Sequence, residues 1–199
     1  KAPLPYPARV YSAFQISPDS SRLAISYGSP KHELVFFGLD REWEEPLTRN
    51  RFDNQIPIWS PDGSAVTYMN DAEGRWLPVI HPLDGDPALL PVPESWDQAF
   101  PESWSGNGFL ALSIIASGGD FDIMALGLET GELVEVAATD ALEWASAFSP
   151  DGRWIAYTSD EQSTYGVYVK PFPPEGEGRL VSQGYGEEPV WSRDGSTLF

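Results

Sequence analysis

A short turn motif recurs along the chain at a nearly constant interval. In its best copy, residues 148–160, Phe148 ends one apolar segment, Pro150-Asp151-Gly152 follow, and an alternating segment comes next. Proline presets the first corner of a turn, aspartate bonds back to the local backbone, and glycine accepts a positive φ. The motif therefore predicts two antiparallel strands joined by a tight turn.

Five copies of this motif are anchored by apolar residues spaced 43, 45, 44 and 43 positions apart. The anchors are Ile16, Trp59, Trp104, Phe148 and Trp191. A period in the forties with strand–turn–strand content is typical of small antiparallel sheets repeated around an axis. The sequence therefore predicts an all-β protein: a β-propeller of four-stranded antiparallel blades, with four full repeats and the start of a fifth.

The repeat divides the chain into a lead-in and a propeller. Residues 1–10 are rich in proline and predict an extended lead-in, and residues 11–199 predict the propeller. Blades are expected at about 11–50, 55–93, 98–138 and 143–183, with a partial blade at 187–199. Because the fifth repeat is incomplete, we expect a piece of a longer ring. The alternatives are closure by the N-terminal residues and self-association with a second copy of the chain through the open blade edge.

Within the blades, the pattern predicts both core and turn roles. No segment has helical periodicity, so we expect almost only strands. The outer strands of blades one, two and four are predicted at 44–49, 87–92 and 179–182. The periodic aromatics are predicted to pack between blades: Trp59, Trp104, Phe148 and Trp191. The aspartates beside the turns are predicted to cap them and not to catalyse: Asp19, Asp62, Asp151 and Asp194.

Composition excludes several classes of function. The formal net charge is −18, from 30 acidic and 12 basic residues, so the basic footprint of a nucleic-acid binder is missing. This charge favours solubility, or alternatively a cationic partner or cations at an acidic rim. The chain has no cysteine, which excludes disulfides and thiolate chemistry. No stretch approaches the roughly 20 apolar residues that span a bilayer, so direct membrane insertion is not expected.

The motifs of common enzymes are also missing. The chain has neither the Gly-x-Ser-x-Gly elbow of serine hydrolases nor the His-Arg-Asp and Asp-Phe-Gly motifs of kinases. His32 and His81 are the only histidines, and each is predicted to be a surface or edge residue. Zinc sites need more His or Cys ligands, and the acidic loops do not match a calcium loop. We therefore expect no catalysis, no metal and no cofactor.

The five anchors and their turns resemble the TolB-type, WD-like propeller repeat of bacteria. In that repeat, Trp or Phe precedes Ser-Pro-Asp-Gly, as at Trp59–Gly63 and at Phe148–Gly152. The copy at Ile16 has Ser20 in place of the glycine, and the copy at Trp191 has Arg193 in place of the proline. This resemblance implies a propeller and favours a location in the periplasm or elsewhere outside the cytoplasm.

A narrower resemblance covers the last quarter of the chain. Residues 166–173 and 188–195 are similar to the sensor-side propeller of some bacterial serine/threonine protein kinases. Similar repeats also occur in the gating propellers of prolyl-oligopeptidase-like serine peptidases and in free periplasmic proteins. A fold of this kind does not fix function.

The connections between blades are predicted to gather at one mouth of the central channel. Loops on a rigid scaffold commonly carry function, and large aromatics are frequent interface anchors. We expect a protein or peptide partner to bind there, and solvated loops are the alternative. The candidate residues are Arg51, Asp53, Trp96, Asp97, Asp140, Glu143, Tyr185 and Glu187.

The sequence thus favours a noncatalytic propeller that binds a protein or peptide, or acts as a sensor module in a signalling kinase. The alternatives are an accessory gating propeller of a serine peptidase and a periplasmic propeller that binds a ligand or a cation.

Overall fold

The computed structural model describes residues 9–199, so most of the lead-in predicted at 1–10 lies outside the described residues. The described chain forms sixteen strands and has no helix. The strands assemble into four antiparallel sheets of four strands each, which confirms the all-β prediction and the four-stranded repeat. The chain divides into two compact units, unit 1 up to Leu90 and unit 2 from Pro91.

Unit 1 contains two sheets whose strands follow one another in chain order. The first sheet consists of β1 (Tyr11–Ile16), β2 (Arg22–Gly28), β3 (His32–Gly38) and β4 (Glu44–Pro46). The second consists of β5 (Asn54–Trp59), β6 (Ala65–Asn70), β7 (Leu77–Pro82) and β8 (Ala88–Leu89).

Unit 2 repeats this arrangement. Its first sheet consists of β9 (Trp96–Trp104), β10 (Phe109–Ala116), β11 (Phe121–Gly127) and β12 (Leu133–Ala137). Its second consists of β13 (Glu143–Phe148), β14 (Trp154–Ser159), β15 (Gly166–Pro171) and β16 (Arg179–Leu180). The fifth repeat contributes a single bridge between Trp191 and Leu198.

The outer strands are shorter than the sequence predicted. Strands β4, β8 and β16 contain three, two and two residues, and none of the three extends to its predicted end. Strand β4 reads Glu-Glu-Pro and is exposed throughout, so it gains little from burial, and proline cannot donate a ladder hydrogen bond. Short, charged outer strands are one way in which proteins limit pairing at sheet edges.

The turn aspartates cap their turns as predicted. In the copy at Ser60–Ser64, the Ser60 hydroxyl donates to Asp62 Oδ1 at 2.7 Å, and the Ser64 amide donates to the same oxygen at 3.0 Å. Gly63 has a φ of +73° and donates its N–H to the Ser60 carbonyl at 2.9 Å. The corresponding serine-to-aspartate bonds recur at Asp19, Asp151 and Asp194.

These hydrogen bonds make the turns sensitive to acid. The donated serine and backbone hydrogens lower the pKa of Asp19, Asp62, Asp151 and Asp194 from 3.8 to about 2. A carboxylate whose pKa is lower in the folded state stabilises the fold above about pH 4 and loses that contribution as the pH falls towards 2. We expect the thermal midpoint of the wild-type protein to fall more steeply between pH 5 and pH 2 than that of the double variant Asp62→Asn/Asp151→Asn.

A control for this prediction is Asp84→Asn, which removes a carboxylate from an exposed turn outside the motif. Its melting curve should follow that of the wild type across the same pH range. Parallel pH profiles for the wild type and the double variant would show that the turn carboxylates do not contribute in this way.

The two sheets of unit 1 pack through the second anchor. Trp59 is buried, stacks on Phe36 of the first sheet at a centroid distance of 5.0 Å, and donates its indole N–H to the Gln15 carbonyl at 3.2 Å. The third strand of the first sheet supplies much of the core, because Leu34 to Phe37 are all buried. Ile16, the first anchor, is 53% exposed and packs differently from Trp59.

In unit 2, aromatic rings join the two sheets. Phe148, the fourth anchor, and Phe172 are both buried, and their ring centroids lie 4.9 Å apart in an edge-to-face arrangement. Phe172 also contacts Phe109 of the first sheet at 5.0 Å. The prediction of inter-blade packing is confirmed for Phe148, which shares a buried cluster with Ala111 of the first sheet. Trp191 is half-buried and donates its indole N–H to the Ala147 carbonyl of β13 at 3.0 Å, and Trp104 is half-buried.

A carboxylate also links the same two sheets through hydrogen bonds. Glu102 on β9 accepts hydrogen bonds from the Ala145 amide at 2.9 Å, from the Ser146 amide and from the Ser113 hydroxyl at 2.6 Å. Ala145 has a φ of +54° within a bulge of β13, which turns both amides towards the carboxylate. Burial raises the pKa of Glu102, although these hydrogen bonds oppose the shift.

Candidate functional site

The strand register of unit 2 defines one end of the second sheet. Glu143 pairs with Ser159, and Ser159 pairs with Gly166, so these residues form a row at that end. The connection 138–142 precedes this row, and the bend 160–165 joins its second and third members. We call this end, together with the connection 181–188, the loop end of unit 2.

Three aromatic side chains form a cluster at the loop end. Trp144 contacts Tyr165 edge to face at a centroid distance of 4.7 Å, and Tyr165 contacts Tyr185 at 6.2 Å. The connection is fixed beside them, because the Gly186 amide donates to the Tyr165 carbonyl at 3.0 Å. We call Trp144, Tyr165 and Tyr185 the aromatic cluster.

Tyr185 is the exposed member of the aromatic cluster, with 70% of its surface accessible. Its hydroxyl donates a hydrogen bond to Glu187 Oε2, and this bond raises the pKa of Tyr185. The ring is therefore held at both ends, by Tyr165 at one edge and by Glu187 at the hydroxyl. An aromatic side chain held in this way loses little conformational freedom when a partner binds.

Several carboxylates also lie at the loop end of unit 2. A recess of about 280 Å³ at this end is lined by Thr139, Asp140, Ala141, Asp160 and Glu161. Asp160 holds the connection by accepting the Leu142 amide at 2.9 Å, whereas Asp140 and Glu161 are exposed. The stretches 138–152, 154–169 and 180–192 contain no lysine or arginine. The loops at this end of unit 2 therefore carry negative charge as well as the aromatic cluster.

Glu143 lies below this surface and not on it. Its side chain is only 1% exposed, and Oε1 accepts the Thr139 hydroxyl at 2.5 Å. Burial raises the pKa of Glu143, and the neighbouring Asp122 and Glu161 add to the shift despite the Thr139 bonds. The expectation that Glu143 contributes to a partner surface is corrected to a role in holding the connection 138–142.

Trp96 also differs from its prediction. The sequence placed it in a connection, but it is the first residue of β9, pairs with Ala116 and is 6% exposed. Its neighbour Asp97 points outward and accepts the Ser117 hydroxyl at 3.3 Å. The indole of Trp96 is therefore buried, and only Asp97 remains accessible at this position.

The corresponding end of unit 1 has a different chemistry. Asp53 accepts both the backbone amide and Nδ1 of His32 at 2.9 Å, and the Gln55 amide at 3.2 Å. Partial burial opposes ionisation of Asp53, but these hydrogen bonds outweigh it and lower its pKa. Arg51 is exposed, with its guanidinium 5.3 Å from the Phe52 ring centroid. Asp53 is thus engaged in holding a loop, and Arg51 is available to solvent.

The predicted candidates therefore separate into two groups. Accessible residues at the loop ends are Arg51, Asp97, Asp140, Tyr185 and Glu187, with Glu187 half-buried. Engaged or buried residues are Asp53, Trp96 and Glu143. The sequence reasoning missed Trp144 and Tyr165. Both are aromatics that stand outside the anchor period, and that signal could have identified them.

The two histidines have different surroundings. His32 begins β3 and is paired with Asp53, and His81 lies on β7, where its Nδ1 is buried without a hydrogen-bond partner. Burial lowers the pKa of His81. Among residues 9–199, no three His, Asp or Glu side chains are grouped closely enough to hold a metal ion.

Comparison with known proteins supports the fold. No family model matches the sequence. A protein described as TolB from Agrobacterium tumefaciens is similar in structure over 96% of this chain and 69% of its own, with a TM-score of 0.82 and 20% identity. TolB from Acinetobacter baumannii is similar over 88% of this chain and 44% of its own, with a TM-score of 0.69 and 18% identity.

A peptidase shares the same architecture. The puromycin-hydrolysing peptidase of Mycobacterium tuberculosis is similar over 92% of this chain and 30% of its own, with a TM-score of 0.68 and 19% identity. At such identities the similarity establishes the fold alone, and it confirms the predicted β-propeller. A search of the described residues for an apolar helix of membrane-spanning length found none.

Proposed function

We propose that this chain is a noncatalytic β-propeller module that binds a protein or peptide partner through the loop end of unit 2. The observation that carries the proposal is the exposed Tyr185 ring, held in place by Tyr165 and Glu187 on the end of a regular sheet. Exposed, pre-oriented aromatic rings are frequent anchors of protein interfaces.

The surroundings of Tyr185 also fit a binding surface. The segments that carry it are loops attached to a four-stranded sheet, which combines an ordered base with variable side chains. Asp140 and Glu161 are exposed at the same end and offer hydrogen-bond acceptors to a partner. Asp97, on the first sheet of unit 2, is a further exposed acceptor, and Arg51 is the corresponding exposed residue of unit 1.

The partner-binding role is compatible with a place in a larger protein. The resemblance of residues 166–173 and 188–195 to kinase-linked propellers supports a sensor role in a bacterial signalling kinase. In that setting the propeller lies outside the cytoplasm. A kinase domain in the full coding frame of the gene is the expected finding.

A second candidate is an accessory propeller that controls access to a serine peptidase domain. It is favoured by the structural similarity to the Mycobacterium tuberculosis peptidase. A hydrolase domain in the same coding frame supports this candidate and contradicts the kinase role.

The binding proposal is tested by site-specific crosslinking. A benzophenone amino acid at position 185 is expected to crosslink one partner protein in the native cell, and mass spectrometry identifies it. The matched control carries the same group at Glu132, an exposed residue in the turn between β11 and β12, at the end of the first sheet of unit 2 away from the connection 138–142. Equal crosslinking from both positions, or none from position 185, contradicts the proposal.

A further inference from the structure

The connection that carries Tyr185, residues 181–188, has only one sign of charge. Tyr185 is flanked in sequence by Glu187 and Glu188, and both carboxylates act electrostatically on its hydroxyl. Glu188 is exposed, and its backbone is fixed because its amide donates to Thr158 Oγ1 at 3.1 Å. The nearest cationic side chains in the sequence are Arg179 and Arg193, which lie outside the connection 181–188.

The surroundings of Tyr185 differ from those of Trp154, another exposed aromatic of unit 2. Trp154 is 43% exposed, but it lies at the start of β14, at the end of the sheet opposite to Glu143 and Ser159. Its sequence neighbour Arg153 carries a positive charge and pairs with Asp151 at 2.7 Å. Tyr185 differs in that its own connection, 181–188, carries only negative charge, although Arg179 and Glu187 line one groove beside β15.

An aromatic face attracts a cation through the negative potential of its π system, and a neighbouring carboxylate strengthens that attraction. The guanidinium of arginine is planar, stacks on aromatic rings and also donates paired hydrogen bonds to a carboxylate. The Tyr185 ring provides the surface for stacking, and Glu187 and Glu188 provide the carboxylates. A neutral or acidic segment would bring no positive charge to these carboxylates.

We propose that the loop end of unit 2 binds a protein segment that carries accessible arginine side chains, with one guanidinium stacked on Tyr185 and directed towards Glu187 and Glu188. This assignment rests on the proposed function and names the chemistry of its partner. Asp140 and Glu161 at the same end provide acceptors for further cationic residues of the segment. Lysine satisfies the charge but not the stacking, so it binds more weakly.

The test uses a fluorescein-labelled peptide in which three arginines alternate with glycine, titrated with the whole chain and followed by fluorescence anisotropy. A peptide of the same length with citrulline in place of arginine tests the contribution of charge. A peptide with lysine in place of arginine tests the contribution of stacking. We expect the arginine peptide to bind more tightly than the lysine peptide, and the citrulline peptide to bind at least about tenfold more weakly than arginine. Affinity should fall with added salt because the contacts are exposed.

Two pairs of variants separate this site from general attraction to an acidic protein. Tyr185→Leu and Glu187→Gln should each weaken binding of the arginine peptide by about two- to fivefold, the range for an exposed cation–π contact. Phe14→Leu, on β1 of unit 1, and Glu132→Gln remove the same kinds of group outside the loop end of unit 2 and should leave the affinity unchanged. Equal losses for Glu132→Gln and Glu187→Gln, or equal binding of the arginine and citrulline peptides, overturn the inference.

The result is distinguishable from failure of the proposed function. If crosslinking at position 185 identifies a partner but the arginine peptide does not bind, the partner surface stands and its cationic specificity is wrong. If the arginine peptide binds with the expected dependence on Tyr185, the assignment is supported whichever domain accompanies the propeller.

Discussion

Trp96→Ala is expected to destabilise the protein by about 3–5 kcal/mol, the usual cost of truncating a buried aromatic residue. The indole is 6% exposed, and the strand that it begins pairs through Ala116 with β10. Deleting the ring removes its burial and leaves a cavity next to the first strand of the sheet. Urea unfolding followed by tryptophan fluorescence measures the change as a shift of the transition midpoint.

Tyr185→Ala is the matched comparison, because it removes a large aromatic that the sequence assigned to the same surface. At 70% exposure its loss should change the free energy of unfolding by no more than about 0.5 kcal/mol. If the two variants were equally stable, the burial of Trp96 would contribute little to the stability of the fold.

Phe172→Ala is expected to have an effect of similar size, about 3–5 kcal/mol, for a different reason. Phe172 follows β15 and contacts both Phe148 and Phe109, so its ring joins the two sheets of unit 2. Its removal weakens the packing between sheets, whereas the hydrogen bonds within each sheet remain. Phe172→Leu should recover part of the loss, because it restores apolar volume without the edge-to-face geometry.

Phe14→Ala provides the control for this variant. Phe14 also lies in a sheet, on β1, but it is 70% exposed. A stability change below about 0.5 kcal/mol is expected for its truncation. A loss at Phe14 that matches the loss at Phe172 would mean that the ring contacts of Phe172 contribute little.

The repeat was predictable because its signal is local. Pro-Asp-Gly specifies a turn from within three or four residues, and the Ser60, Asp62 and Gly63 hydrogen bonds follow from that stretch alone. The recurrence of such turns at a constant interval then predicts the number of strands in each sheet. The ends of the outer strands were less predictable, since pairing there depends on few contacts and on prolines such as Pro46.

The candidate site was only partly predictable because it depends on residues distant in sequence. From the sequence, Trp96 is predicted to lie in a loop, and only its pairing with Ala116 shows that it begins a strand. The aromatic cluster joins Trp144, Tyr165 and Tyr185, three residues about twenty positions apart that the repeat does not mark. A sequence can show that these aromatics are off-period, but their contact follows from the register of the sheet.

The central claim, that the loop end of unit 2 is the binding surface, is tested most directly by hydrogen exchange of the protein with and without the partner identified by crosslinking. We expect the partner to protect backbone amides in 139–143, 160–165 and 183–188 from exchange. The turns at the opposite end, 128–132 and 172–178, should exchange at unchanged rates. Protection confined to those opposite turns, with the loop end unaffected, would show that the loop end of unit 2 is not the binding surface.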